Sequence, residues 1–155
     1  MLNIIRTNSN NPDFKKIVAL LDEDLAFRDG DDHAFYAQFN KVTHINHVVV
    51  AYKNNEAVGC GAFKVFEPAI TEIKRMFVLP QHRGQGIAGL VLAELESWAK
   101  ELHYTSCILE TGMKQPEAIR LYQKSGYIII PNYGQYAGIN NSVCMKKELF
   151  VGGLV

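Results

Sequence analysis

Ile70 to Val78 has the apolar, β-branched character of a strand that stops at Pro80, and the turn Gln81-His82-Arg83-Gly84-Gln85-Gly86 then feeds a long amphipathic stretch, Gly86 to Leu102. A second apolar strand follows at Ser106 to Glu110. A strand, a crossover helix and another strand form a βαβ unit, so the two strands should be parallel neighbours joined by a right-handed crossover. The helix should bury Ile87, Leu90, Val91, Ala93, Leu95, Trp98, Ala99 and Leu102, and turn Glu94, Glu96, Lys100 and Glu101 outward. Its start is chemically distinctive. Several backbone N–H groups would point outward at the positive end of a helix dipole, which suits phosphate or pyrophosphate. Gly84 and Gly86 lack a Cβ and allow close approach, and Arg83 adds a fixed cation. A helix that merely begins at a Gly-containing turn is the plain alternative.

The remaining segments place this unit in a larger sheet. Leu2 to Arg6 reads as a short first strand. Asn11 suits a helix cap with Pro12 at the first position, and Phe14, Ile17, Val18, Leu21 and Leu25 follow at helical spacing. Arg28 to Asp32 breaks that pattern, and His33 to Phe39 suits a second short helix. His47 to Tyr52, Ala57 to Phe66 and Ile70 to Val78 form an antiparallel meander, with a turn at Asn54-Asn55. Gly59 and Gly61 inside the second of these imply a bulge or close packing. Pro116 to Lys124 reads as a helix closed by Ser125-Gly126, and Tyr127 to Ile130 and Ser142 to Lys146 as the last strands. The expected architecture is one α/β (α+β) domain over residues 1–149, a mixed sheet with helices on both faces. Residues 150–155 would be a tail.

At 155 residues the chain suits one core. Lys+Arg and Asp+Glu both number 16, so no net basic charge favours nucleic acid as a partner. No apolar run reaches the length of a membrane span, and the N-terminal residues lack the layout of a signal peptide. Cys60, Cys107 and Cys144 lie far apart in apolar runs, which implies buried free thiols in a reducing cytoplasm. His44 and His47 lack a third ligand, so no metal is expected.

Gln81, Gly84 and Gly86 fit a Q/R-x-x-G-x-G/A signature after a strand. Ala118, Leu121, Tyr122, Gly126 and Tyr127 fit Ala-x-x-Leu-Tyr-x-x-x-Gly-aromatic on the following helix. In this order and setting the chain resembles the GNAT superfamily of acyl-CoA-dependent N-acyltransferases, across nearly the whole domain. That resemblance implies a mostly antiparallel central sheet and acetyl-CoA as co-substrate. It implies direct transfer of the acetyl group to a primary amine of a small molecule or peptide within a ternary complex. It further implies that backbone amides of Arg83, Gly84, Gln85, Gly86, Ile87 and Ala88 hold the pyrophosphate. The strand end Met76, Phe77 and Val78 would splay from its parallel neighbour and pair with the pantetheine arm. Tyr122 would protonate the departing thiolate. Gln115 stands where an Asn more often contacts the cofactor, and is longer by a methylene.

The chemistry needs an amine stripped of its proton, donors for the tetrahedral oxyanion and a proton for the thiolate. It needs no Cys or Ser nucleophile. Glu72 is a candidate base or a solvated charge beside Lys74, and Glu110, ending the next strand, is its rival. Tyr122 is a candidate acid or a core tyrosine. Arg75 faces opposite to Glu72 in a simple strand, and is either a salt-bridge partner or a ligand for an acceptor carboxylate. Tyr133 and Tyr136 are candidate walls of an amine pocket. Asp29, Asp31 and Asp32 would attract a cation or form a solvated loop. His82 reads as a solvated loop residue. Two rival readings stay open. One is a non-catalytic acyl-CoA-binding or sensing module, which would not need Tyr122 or a base. The other is a dinucleotide-binding protein, since Gly84-x-Gly86-x-x-Gly89 matches that motif literally but lies mostly within the helix. A homodimer is compatible with the resemblance, and nothing in the sequence identifies the acceptor.

Overall fold

A computed structural model describes residues 1–30 and 44–150 of the chain. A seven-stranded sheet runs in the order β1-β2-β3-β4-β5-β7-β6. Its strands are β1 (Leu2–Thr7), β2 (His47–Lys53), β3 (Glu56–Glu67), β4 (Ile70–Val78), β5 (Ser106–Gly112), β6 (Ile128–Ile130) and β7 (Ser142–Glu148). The helices are α1 (Pro12–Asp29), α2 (Ile87–Glu101) and α3 (Pro116–Lys124). The expected second helix, His33 to Phe39, lies outside the described residues, as do Asp31, Asp32 and residues 151–155. Phe150, at the start of the expected tail, lies with its ring 5.3 Å from the Lys100 Nζ.

Local chemistry explains the element ends. The Asn11 side chain accepts the N–H groups of Asp13 and Phe14, so α1 starts where its cap residue stands. Asn54 and Asn55 adopt φ of 51° and 69°, which closes the β2–β3 hairpin. Two apolar layers cover the sheet. Val49, Val58, Phe63 and Ile73 pack against Val91, Leu92 and Leu95 of α2. On the opposite face Val48, Val50, Cys60 and Phe77 pack against Phe14, Ile17, Val18 and Leu21 of α1.

Two expectations about facing are overturned. Leu90 and Leu102 of the α2 region are exposed, as is Ala93, whereas Leu92 and Glu96 are buried. Glu96 accepts the Tyr127 hydroxyl at 2.8 Å and the Lys147 ammonium at 2.9 Å. A carboxylate satisfied by two donors can sit on the inward stripe of a helix. The second correction concerns Arg75, which shares a face with Glu72. The β3–β4 register shifts between Cys60 and Ala62, and Arg75 takes φ of 60°. One extra residue in a bulge reverses the alternation beyond it. The Cys60 thiol donates to the Arg75 carbonyl at 3.3 Å, and burial pushes that thiol up to about 12. Gly61 opposite the bulge is a close-packing glycine. A Cβ there would lie 2.5 Å from Met76 Sδ and 2.9 Å from Leu95 Cδ1.

The feature that makes the site is where β4 and β5 part. They pair in parallel only from Ile70–Ser106 to Glu72–Ile108. Beyond that, β4 stays paired with β3 up to Val78 and β5 stays paired with β7 up to Gly112. A wedge therefore opens in the middle of the sheet, and among the described residues no strand lies beside one edge of Met76–Val78.

Candidate active site

Two adjoining cavities occupy the wedge and its mouth. The larger, about 290 Å³, is lined by Met76, Phe77, Val78, Arg83, Gly84, Gly86, Ile87, Ala88, Gln115 and Tyr122. The smaller, about 110 Å³, is lined by Glu72, Arg75, Met76, Glu110, Gln115, Tyr122 and Tyr136. Met76, Gln115 and Tyr122 border both, so these residues stand where the two spaces meet.

Gly84 and Gly86 take φ of 79° and 80°, and Gly86 caps α2 in the left-handed conformation. Space beside both Cα atoms is open, so the requirement for glycine at these positions is conformational. We expect Gly86→Ala to cost roughly 1–2 kcal/mol through its positive φ. Thermal unfolding tests this, and an unchanged melting temperature would contradict it. The Nε of Arg83 donates to the Val78 carbonyl at 2.9 Å, and its guanidinium lies 5.1 Å from the Phe77 ring centroid. Gln81 and Gln85 do not line either cavity: both are exposed, and Gln85 accepts the Lys53 ammonium at 2.6 Å. His82 is not the solvated loop residue expected. It lines the larger cavity with its Nδ1 buried and unpartnered among the described residues, and its Nε2 is 3.7 Å from Glu56.

Tyr122 is buried on α3, its ring 5.8 Å from that of Tyr127. Burial, and then the charge of Glu110, pushes its hydroxyl well above the ordinary tyrosine value. Glu72 is buried too and accepts the Tyr133 hydroxyl at 2.7 Å. Burial, followed by Glu72, raises Tyr133 likewise. Tyr133 therefore orients Glu72 from behind, while the buried Tyr136, 5.8 Å from the Tyr133 ring, lines the smaller cavity. Lys74 stands on the same wall, and burial lowers its pKa.

Residues from α1 complete the site. Leu21 borders both cavities and Leu25 the smaller one. Arg28 bonds Asp24 at 3.1 Å and also pairs with Glu117 at the start of α3. This ties α1 to α3 beside the larger cavity and neutralises two carboxylates that would otherwise repel an anion. Asp22 accepts the Arg75 Nη1 at 2.7 Å.

Other candidates have structural roles. The His47 ring stacks on Phe63 at 4.5 Å, and burial lowers its pKa. His44 Nδ1 is 3.3 Å from Ser9 Oγ. Among the described residues no group of three or more His, Cys, Asp or Glu side chains could hold a metal. Cys60, Cys107 and Cys144 are buried free thiols, with Cys107 pushed up to about 11 mainly by burial. No helix among the described residues is long and apolar enough to cross a membrane.

Comparison with known proteins agrees with this geometry. The model of the acetyltransferase (GNAT) family matches residues 14–127. An IAA acetyltransferase of Azospirillum brasilense is 36% identical over 102 residues, which covers 65% of this chain and 67% of that protein. Matches to N-acetyltransferases of Schizosaccharomyces pombe and Bacillus subtilis cover 63% and 67% of those proteins. The crystal structure of a Klebsiella pneumoniae protein assigned as an acyl-CoA N-acyltransferase superposes with a TM-score of 0.81 at 30% identity, covering 97% of this chain and 99% of that one. A GNAT family acetyltransferase from Elizabethkingia anophelis, solved with acetyl-CoA bound, shares the fold at a TM-score of 0.66 and 20% identity, covering 95% and 97%. The parted strands, the Gly-rich turn into α2 and the family match over most of the chain agree: this protein belongs to the acetyltransferase (GNAT) family and is an acyl-CoA-dependent N-acetyltransferase.

Proposed function

We propose that this chain moves an acetyl group from acetyl-CoA directly to the primary amine of a small molecule or peptide, with both substrates bound at once. The observation that carries the reading is the junction at Met76, Gln115 and Tyr122 of a larger cavity reached by a glycine turn and a smaller one lined by carboxylates. The larger cavity offers what a pyrophosphate and an extended arm would use. Backbone N–H groups sit at the start of α2, and Met76–Val78 has an edge with no partner strand among the described residues. A polarising amide on that strand would hold the thioester carbonyl, and Glu72 or Glu110 would take the proton from the amine, directly or through water. Tyr122 keeps its proton across the neutral range, so its hydroxyl can donate to the sulfur as negative charge develops there. Positioning two substrates in adjoining spaces supplies much of the rate enhancement without a covalent enzyme intermediate. Buried free thiols favour a reducing compartment, so we place the reaction in the cytoplasm.

Acetyl-CoA at 100 times its dissociation constant should stabilise the protein by about 2.7 kcal/mol, a rise of roughly 5–11 °C in melting temperature. NADH and ATP should give no comparable rise. A response to NADH alone would overturn the reading. Binding of acetyl-CoA without thiol release, across amino acids, polyamines, aminoglycosides and peptides, would favour a sensor instead.

A further inference from the structure

Arg75 is a charged side chain on the wall of the smaller cavity, with one donor unanswered among the described residues. Its side chain is only 4% exposed. Nη1 is taken by Asp22 at 2.7 Å, while Nη2 is buried with no hydrogen-bond partner among the described residues. A buried charged donor left unpaired is costly, and the guanidinium fork matches a carboxylate better than any other common group. The bulge at Arg75, with φ of 60°, turns this residue onto the face of Glu72, so that both line the same small space. Glu110 is on its wall as well. The cavity thus offers a cationic group for an anion and carboxylates for an ammonium, within about 110 Å³. That room suits a molecule of amino-acid size. The two glutamates disfavour a dianionic phosphate there.

We infer that the acceptor is an amino acid, held by its carboxylate on the Arg75 guanidinium with its amine directed toward Glu72, Glu110 and the junction at Tyr122. This deepens the acetyl-transfer reading and rests on it for the role of the amine, whereas the carboxylate subsite is measurable by binding alone. The experiment titrates the twenty standard amino acids, and the α-carboxamide of each, into the protein saturated with CoA, and separately follows thiol release from acetyl-CoA. At least one amino acid should bind, with its carboxamide roughly 10- to 150-fold weaker. Arg75→Met should reduce that ratio to within about threefold by weakening the acid alone, since the lost contact is one charge-assisted bond. Arg75→Lys retains the charge but not the fork, and should lose at least half of the selectivity on a logarithmic scale. It decides the matter if Arg75→Met fails to fold. Equal affinity for acid and carboxamide, no binding by any amino acid, or full selectivity in Arg75→Lys would overturn the inference. Turnover of amines without preference for the acid overturns it while leaving acetyl transfer intact. Carboxylate-selective binding with no thiol release supports the subsite and counts against acetyl transfer.

Discussion

Tyr122→Phe is expected to lower kcat by roughly 100-fold or more, with the affinity for acetyl-CoA changed by less than about threefold. The ring is buried against Tyr127 where the two cavities meet, and phenylalanine keeps that packing while removing only the hydroxyl. An effect on kcat with binding preserved is the mark of an interaction made in the transition state. Loss of fold is checked by melting temperature, which should be nearly unchanged. Because burial and Glu110 hold the hydroxyl above the ordinary value of 10.0, Tyr122 retains its proton below that pH. The wild-type kcat profile should therefore show no falling limb from Tyr122 in that range. Turnover of Tyr122→Phe within threefold of wild type would remove the tyrosine from the proton path and leave it as a packing residue.

Glu96→Ala should destabilise the domain by roughly 2–4 kcal/mol, the loss expected when a largely buried carboxylate leaves its donors without a partner. The carboxylate of Glu96 bridges the Tyr127 hydroxyl to Lys147 on β7. Its removal strands the hydroxyl of a buried tyrosine, whereas Lys147 is partly exposed and can turn to water. The lower end of the range applies if water enters the gap. Thermal unfolding should show a fall of about 4–16 °C. Glu96→Gln keeps an oxygen to accept the hydroxyl, and should recover part of the loss. A melting temperature for Glu96→Ala equal to that of wild type would mean that the bridge contributes nothing net.

These residues also mark how far a linear reading carries. Strands and helices were legible because their signals are local: Asn11 before Pro12, the Asn54-Asn55 turn, and glycines at Gly84 and Gly86 where φ is positive. The family resemblance rested on short spacings within one turn and one helix. Glu96 was read as facing outward because it is charged, yet its partners come from β7 and from the residue preceding β6. Arg75 was assigned to the wrong face because strict strand alternation has no term for a bulge, and the bulge depends on β3 across the ladder. His82 looked exposed beside Arg83, but the fold buries its Nδ1.

By itself, the sequence determined the order of the described elements, the βαβ unit, the glycine turn that opens α2 and the presence of Tyr122, Glu72 and Glu110. Each of these follows from the chemistry of residues within a few positions of one another. The resemblance already implied that Met76–Val78 parts from its parallel neighbour; only the tertiary structure decided that pairing stops at Glu72 and Ile108, that Tyr133 holds Glu72, and that α1 supplies Asp22 to Arg75 and Arg28 to Glu117. Those contacts join residues tens of positions apart, and they exist because two cores, one on each face of the sheet, set where the helices lie.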